Sequence, residues 1–297
     1  MITRSIYIGN PAYLKLKDEQ MYIMEPSSNE MKGKVPVEDL GLLMLDHFQI
    51  TISHQLIQKM MGNNVVVVSC DSHHLPHGIM LPLYGHTEHS DRVKDQLEAS
   101  EPLKKQLWKQ TIECKIENQK EVLRRLGNYF EPMADYQSNV KSGDITNMEG
   151  IAAQHYWKYL ISLDFLRQRF GDSPNQFFNF GYAVLRSIVA RSIVETGLLP
   201  VLGIFHKNKY NPYCLADDLM EPYRPFVDLL VMDWLTKNPN IEELTKEFKS
   251  HILQIATKDV VIDGKTRPLL VAVKATAISL YKCYTAEKRL ISYPEFK

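Results

Sequence analysis

The chain has almost no net charge: its 297 residues carry 35 Lys and Arg against 35 Asp and Glu. No whole-molecule field draws it to a polyanion, so any nucleic-acid binding must come from local patches. Four cysteines, Cys70, Cys114, Cys214 and Cys283, stand far apart with no CxxC pair. That argues against a cysteine-built zinc site or a disulfide framework and points to a reducing, cytoplasmic setting. The N-terminal MITRSIYIGN lacks the apolar core of a signal peptide, and the most apolar stretch, residues 188–205, is broken by Arg191 and Glu195. Neither export nor a membrane span is expected. No GxGxxG follows a strand-like run and no P-loop occurs, which removes support for dinucleotide or nucleoside-triphosphate chemistry. Internal repeats and low-complexity tracts are also missing.

What is present divides the chain in two. Up to Pro82 the sequence reads as short strands with turns between them: SIYI before Gly9-Asn10-Pro11, YLKLK before Asp18, MYIM before Pro26, LGLLML, and NVVVVS after Gly62-Asn63-Asn64. A short helix over 53–61 interrupts them, with Ser53 as its cap. Beyond His86 the apolar spacing changes to three and four, predicting helices over 93–126, 151–170, 177–199, 215–235, 241–255 and 269–284. Strands grouped first and helices afterwards predict an α+β chain: a small β-sandwich-like domain over 1–82 and a larger all-α domain over 83–297. The connector 72–89 holds His73, His74, His77, His86 and His89. With no cysteine pair beside them, they read as surface and linker residues rather than zinc ligands.

Charge is segregated along the chain. The stretch from Lys104 to Arg125 carries Lys104, Lys105, Lys109, Lys115, Lys120, Arg124 and Arg125 against three glutamates, whereas 217–247 is acid-rich. The segment FHKNKYNPYCLADDLMEPYRP places His206 ahead of Asp217, Asp218 and Glu221. Asp218 and Glu221 are three apart and share a helix face with Arg224, and carboxylates that close repel unless a cation lies between them. A magnesium or manganese ion suits an imidazole with carboxylates, although zinc takes the same ligands. A solvated acidic face is the competing reading. Pro222, which cannot donate to the Asp218 carbonyl, predicts a kink at Glu221. Thr146-Asn147-Met148-Glu149 has the form of a capping box, which would occupy Glu149 structurally. Alternatively Glu149 points outward, kept ionised by the helix dipole. Spacing alone leaves both pairs of readings open.

The segments NMEGIAAQHYW, FNFGYAVLRSIVARSIVETGLLPVLGIFH and NPYCLADDLMEPYRPFVD, in this order and spacing, resemble the CRISPR-associated integrase family, Cas1. The resemblance extends over essentially the whole chain, and CDSHHLPHGIMLPLYGH looks most like the version found in type II systems. It implies an N-terminal dimerisation sandwich and a helical domain with a metal site of Glu, His and a second acid, at Glu149, His206 and Glu221. Asp218 matches a neighbouring acid and is expected as an accessory. Some relatives have Asp where this chain has Glu221. The implied activity is insertion of new DNA at the edge of a CRISPR repeat by attack of a 3′-hydroxyl, with Mg2+ or Mn2+ as cofactor, and nuclease action at the same site. Implied partners are prespacer and repeat DNA, a second copy of the chain, a bridging dimer of the CRISPR-associated protein Cas2, and the type II effector nuclease. Lys207, Lys209, Arg224, Lys104, Lys105 and Lys109 are candidate DNA contacts. A structure-selective repair nuclease and a non-catalytic DNA scaffold are the rival functions.

Overall fold

The computed structural model describes residues 4–83, 85–168, 171 and 173–297. Strands and one helix come first: β1 (Arg4–Ile8), β2 (Ala12–Lys17), β3 (Gln20–Met24), β4 (Met31–Pro36), β5 (Leu40–Leu45), β6 (Ile50–Ile52), α1 (His54–Gly62), β7 (Val66–Cys70) and β8 (Pro76–Met80). Helices follow: α2 (His89–Glu98), α3 (Glu101–Arg125), α4 (Met133–Ser138), α5 (Met148–Leu160), α6 (Asn175–Glu195), α7 (Cys214–Met220), α8 (Arg224–Lys237), α9 (Lys246–Ile252) and α10 (Leu269–Tyr284). Between α9 and α10 lies a hairpin of β9 (Asp259–Ile262) and β10 (Lys265–Pro268).

Two four-stranded sheets form the first part, in the orders β4-β3-β2-β6 and β1-β5-β7-β8. In β2 the alternation works as the pattern demands: Ala12 and Leu14 are buried, Tyr13 and Lys15 exposed. In the second sheet both faces are covered. Leu43 and Val67 point into a core shared with Leu14, Met21, Leu56 and Met60, whereas Leu42, Met44, Val66 and Val68 join the large core of the helical part. This double burial is why LGLLML and VVVV read as unbroken apolar runs, and β5 is parallel to both β1 and β7. Ser53 caps α1 as expected, accepting the Leu56 N–H at 3.4 Å.

The connector is more ordered than its composition suggested, because β8 pairs antiparallel with β7 as an edge strand starting at Pro76. His74 also has structural work. Its Nδ1 lies 2.8 Å from Asp46 Oδ1, while Asp46 Oδ2 accepts the Tyr7 hydroxyl at 2.6 Å and Lys249 Nζ at 2.7 Å. This cluster, centred on the buried Asp46–Lys249 pair, fastens the second sheet to α9.

The second part is helical, with the β9–β10 hairpin as an addition to the all-α reading; its turn is Asp263-Gly264, both at positive φ. The expected helix over 93–126 divides at Ser100, whose Oγ accepts the Leu103 N–H. The run 215–235 is interrupted at Pro222 by a 3-10 turn, Glu221–Tyr223, between α7 and α8, but Glu221 keeps helical dihedrals (φ −52°, ψ −49°) rather than leaving them as Pro222 led one to expect. Helix α6 is long and apolar enough to span a bilayer, and 72% of its most apolar window is buried inside the fold. It meets α8 at Gly181, where an added Cβ would lie 2.4 Å from Val227 Cγ1. Gly181→Ala is therefore expected to destabilise the chain by about 1–3 kcal/mol through overpacking, read as a lowered urea midpoint.

Candidate metal centre and basic cleft

Glu149 escapes the capping box. Asp144 and Asn147 both adopt positive φ, and this turn brings the Asp144 carboxylate onto the first turn of α5. Its Oδ1 accepts the Met148 N–H at 2.8 Å and its Oδ2 the Glu149 N–H at 3.0 Å. Thr146 instead donates its hydroxyl to the Asn139 carbonyl at 3.3 Å. With the cap supplied by Asp144, the Glu149 side chain is free to reach Lys115 Nζ at 2.6 Å.

Lys115 Nζ also lies 2.6 Å from Glu221 Oε2. Glu221, at the end of α7, is 3% exposed, and its Oε1 receives Arg224 at 2.9 Å. Burial alone would push the Glu221 carboxyl up, but the Arg224 and Lys115 charges hold it below its ordinary value. At 2.6 Å the Lys115 ammonium supplies both charge and a hydrogen bond to this carboxylate.

His206 lies within electrostatic reach of both glutamates. Its Nδ1 is 2.5 Å from Asp218 Oδ1, and its ring meets the edge of Trp108 with centroids 5.6 Å apart. The Asp218 hydrogen bond, reinforced by the Asp218, Glu221 and Glu149 charges, raises the His206 pKa despite partial burial. Asp218 is fully buried and engaged elsewhere: it also accepts the N–H groups of Ile204 (2.6 Å), Phe205 (2.9 Å) and His206 (3.3 Å). Burial pushes its carboxyl up while these donors pull it down. Gly203 is required at this turn, because an added Cβ would lie 2.5 Å from the His206 carbonyl oxygen and 2.7 Å from Asp218 Oδ2.

The arrangement therefore joins Glu149 and Glu221 through Lys115, with His206 near enough to feel both carboxylate charges and Asp218 behind its imidazole. Among the described residues no three His, Cys, Asp or Glu side chains are close enough together to hold a metal ion as they stand. The donor chemistry nonetheless fits one. Two carboxylates from different helices share one largely buried cation, and Asp218 on Nδ1 leaves Nε2 of His206 to coordinate, in the manner of a carboxylate–histidine–metal relay.

A cavity of about 780 Å3 opens beside the pair, lined by Lys115, Arg167, Arg186, Arg224, Trp157 and Tyr182 among others. Arg186 Nε is held by Asp217 Oδ1 at 2.6 Å, and Arg224 lies over the Tyr182 ring at 4.8 Å. A second cavity of about 400 Å3 at His206 is lined by Lys104, Lys207 and Lys209. Lys105 and Lys109 line neither. Several expected DNA contacts are engaged within the chain: Lys207 with Glu101 at 3.1 Å, Lys104 with Glu101 at 3.9 Å and Lys109 with Glu113 at 3.4 Å.

Sequence reasoning placed Lys115 in a basic run without giving it a role. The signal was present: Lys115 falls in the stripe of Leu107, Trp108, Thr111, Ile112, Asn118, Gln119 and Val122, all buried. A lysine in such a stripe needs an acidic partner. Arg167, Arg186 and Asp228 were also missed. Asp228 is buried in α8, accepting the hydroxyls of Tyr182 (2.6 Å) and Tyr156 (2.9 Å). Burial pushes its carboxyl up to about 6. A folded-state pKa above the unfolded value contributes stability that is present below the unfolded pKa of about 3.9 and lost as pH rises through the folded one. Wild type is expected to lose about 1–3 kcal/mol relative to Asp228→Asn between pH 4 and pH 7. Parallel denaturation profiles for the two proteins would contradict this.

The family model for CRISPR associated protein Cas1 matches residues 6–262. The CRISPR-associated endonuclease Cas1 of Neisseria meningitidis serogroup C is 34% identical over 275 residues, 92% of this chain and 89% of that protein. A second Cas1 endonuclease of Pyrobaculum aerophilum is 26% identical over 85% of this chain and 90% of its own. Among solved structures, a casposase bound to integration product superposes with a TM-score of 0.80 at 21% identity, covering 98% of this chain and 92% of that one. A Cas1 protein from Thermotoga maritima superposes at 0.78 with 17% identity, covering 98% of this chain and all of the other. One chain of a Cas6-RT-Cas1–Cas2 complex superposes at 0.73 with 16% identity, covering all of this chain and 36% of that one. Family match and identity agree with the fold: the chain belongs to the Cas1 family of CRISPR-associated proteins.

Proposed function

We propose that the chain is a metal-dependent DNA integrase and endonuclease of CRISPR adaptation, acting at Glu149, His206 and Glu221. The observation that carries this reading is the meeting of two carboxylates, from α5 and the end of α7, on Lys115, which also lines an arginine-rich cavity. Relatives named as endonucleases and the casposase with its integration product support it.

The proposed reaction exchanges one phosphodiester for another. A 3′-hydroxyl of an incoming DNA attacks the phosphorus at the repeat edge, the new P–O bond forms as the old one breaks, and the departing oxygen leaves as a 3′-hydroxyl. No nucleotide is consumed. A bound Mg2+ or Mn2+, held by Glu149, Glu221 and Nε2 of His206, would supply stabilisation of charge developing on the phosphate. Asp218 fixes the imidazole, Arg224 steadies Glu221, and Arg167 and Arg186 offer positive charge to the DNA backbone. With water in place of the hydroxyl, the same groups would cut DNA.

In this reading residues 1–82 serve dimerisation and 83–297 catalysis. A Cas2 dimer bridges two such homodimers, prespacer and repeat DNA are the substrates, and the type II effector nuclease takes part in selecting the DNA. The solved Cas6-RT-Cas1–Cas2 complex, in which a Cas1 module occurs together with Cas2, supports the pairing.

A strand-transfer assay tests the function: a duplex with 3′-hydroxyl ends, a supercoiled plasmid bearing a CRISPR repeat, and Mn2+ should yield joined product at the repeat. Cutting of branched DNA without joining would favour a repair nuclease. DNA binding offers a separate check, because Arg167→Ala with Arg186→Ala should weaken affinity about tenfold or more and flatten its log–log salt dependence by roughly one to two. An unchanged slope would remove the cleft as a phosphate contact.

A further inference from the structure

Lys115 has a place in this site that the metal reading does not by itself supply. Its ammonium lies 2.6 Å from an oxygen of Glu149 and 2.6 Å from an oxygen of Glu221. The Lys115 side chain is 9% exposed, against 29% for Glu149 and 4% for Glu221. With Arg224 on the other Glu221 oxygen, two positive charges balance two negative ones, so the cluster is neutral without any added ion. A dication entering between the carboxylates would meet a fixed ammonium bound to the same oxygens, and at these separations that repulsion is large wherever water is sparse. Arg224 is stacked over Tyr182. Lys115 also lines the arginine-rich cavity, and its flexible stem ends in a compact charge that can turn towards that space.

We infer that Lys115 is the resident counter-ion of the Glu149–Glu221 pair: its ammonium holds the carboxylates together until a divalent ion arrives, then withdraws into the cleft. The inference rests on the metal reading above. It makes Lys115 a positioning residue that sets how tightly the site takes its metal, and it links metal entry to DNA, because the displaced ammonium faces the cavity where phosphate would lie.

The experiment is titration of the full-length protein with Mn2+ alone, followed by electron paramagnetic resonance, alongside melting curves in EDTA and in Mn2+. Lys115→Met should bind Mn2+ about tenfold or more tightly than wild type, melt lower in EDTA, and gain more than wild type when Mn2+ is added. Lys115→Arg should bind Mn2+ more weakly than wild type, since a guanidinium fork grips both carboxylates and yields less readily. Equal Mn2+ affinity in wild type and either variant would overturn the inference. If Lys115→Met does not fold even with Mn2+ present, the Lys115→Arg titration decides. Glu221→Gln separates the two levels of argument. Mn2+ binding unchanged in Glu221→Gln would overturn the metal reading itself, whereas binding lost in Glu221→Gln but unaltered in both Lys115 variants would overturn only the role of Lys115.

Discussion

Glu221→Gln is expected to lower strand transfer by at least about a hundredfold while the fold survives. Gln keeps an oxygen for Arg224, which lies 2.9 Å from Glu221 Oε1, so circular dichroism should show native helix content. What is removed is the negative charge. Without it one of the two acids that would flank the metal is neutral, and charge developing on the phosphate loses its counterpart. A scaffold whose acids form only a solvated face predicts no such loss, and Glu221 is 3% exposed. Comparable rates for Glu221→Gln and wild type, with both proteins folded, would return that rival to first place.

Asp218→Ala should cost more stability than any substitution at the acids it neighbours. The Asp218 carboxylate accepts three consecutive backbone N–H groups, from Ile204, Phe205 and His206, besides His206 Nδ1. Alanine leaves those donors without an acceptor in the interior, where each unmade hydrogen bond costs about 1–3 kcal/mol, so a loss of roughly 3–5 kcal/mol is expected by chemical denaturation. Asp218→Asn is the milder probe, since one amide oxygen can serve part of the loop but the amide N–H2 opposes the remaining donors. Because Asp218 orients the imidazole, Mn2+ affinity should fall about 10–100-fold in Asp218→Asn. A variant with intact affinity would show that His206 does not depend on Asp218 for its orientation.

Much of the architecture was legible because local chemistry and tertiary context agree. The alternation in AYLKLK, the Ser53 cap, the doubly buried VVVV run and the break at Pro222 all express rules that act within a few residues. Strand β8 was hidden by Pro76, His77 and Gly78, which suit an edge strand but weaken its pattern. The β9–β10 hairpin had a readable Asp-Gly turn within a short, partly charged segment. Glu149 shows the limit most clearly. Thr-x-x-Glu has the form of a capping box, yet the positive φ of Asp144 and Asn147 hands the cap to Asp144. The roles of Lys115 and Arg186 depend on partners far away in the sequence, Glu149 and Glu221 for one and Asp217 for the other. No periodicity encodes such pairings. The site residues were brought together by the family resemblance, and the two glutamates do converge on one side chain.

Anomalous diffraction at the manganese edge, on crystals of the full-length protein grown with Mn2+, is the most direct test of the metal centre. One ion bonded to Glu149, Glu221 and Nε2 of His206, with Lys115 Nζ withdrawn from both carboxylates, is the expected result. Strand transfer that persists in a protein whose crystals place manganese elsewhere, or nowhere, would contradict it.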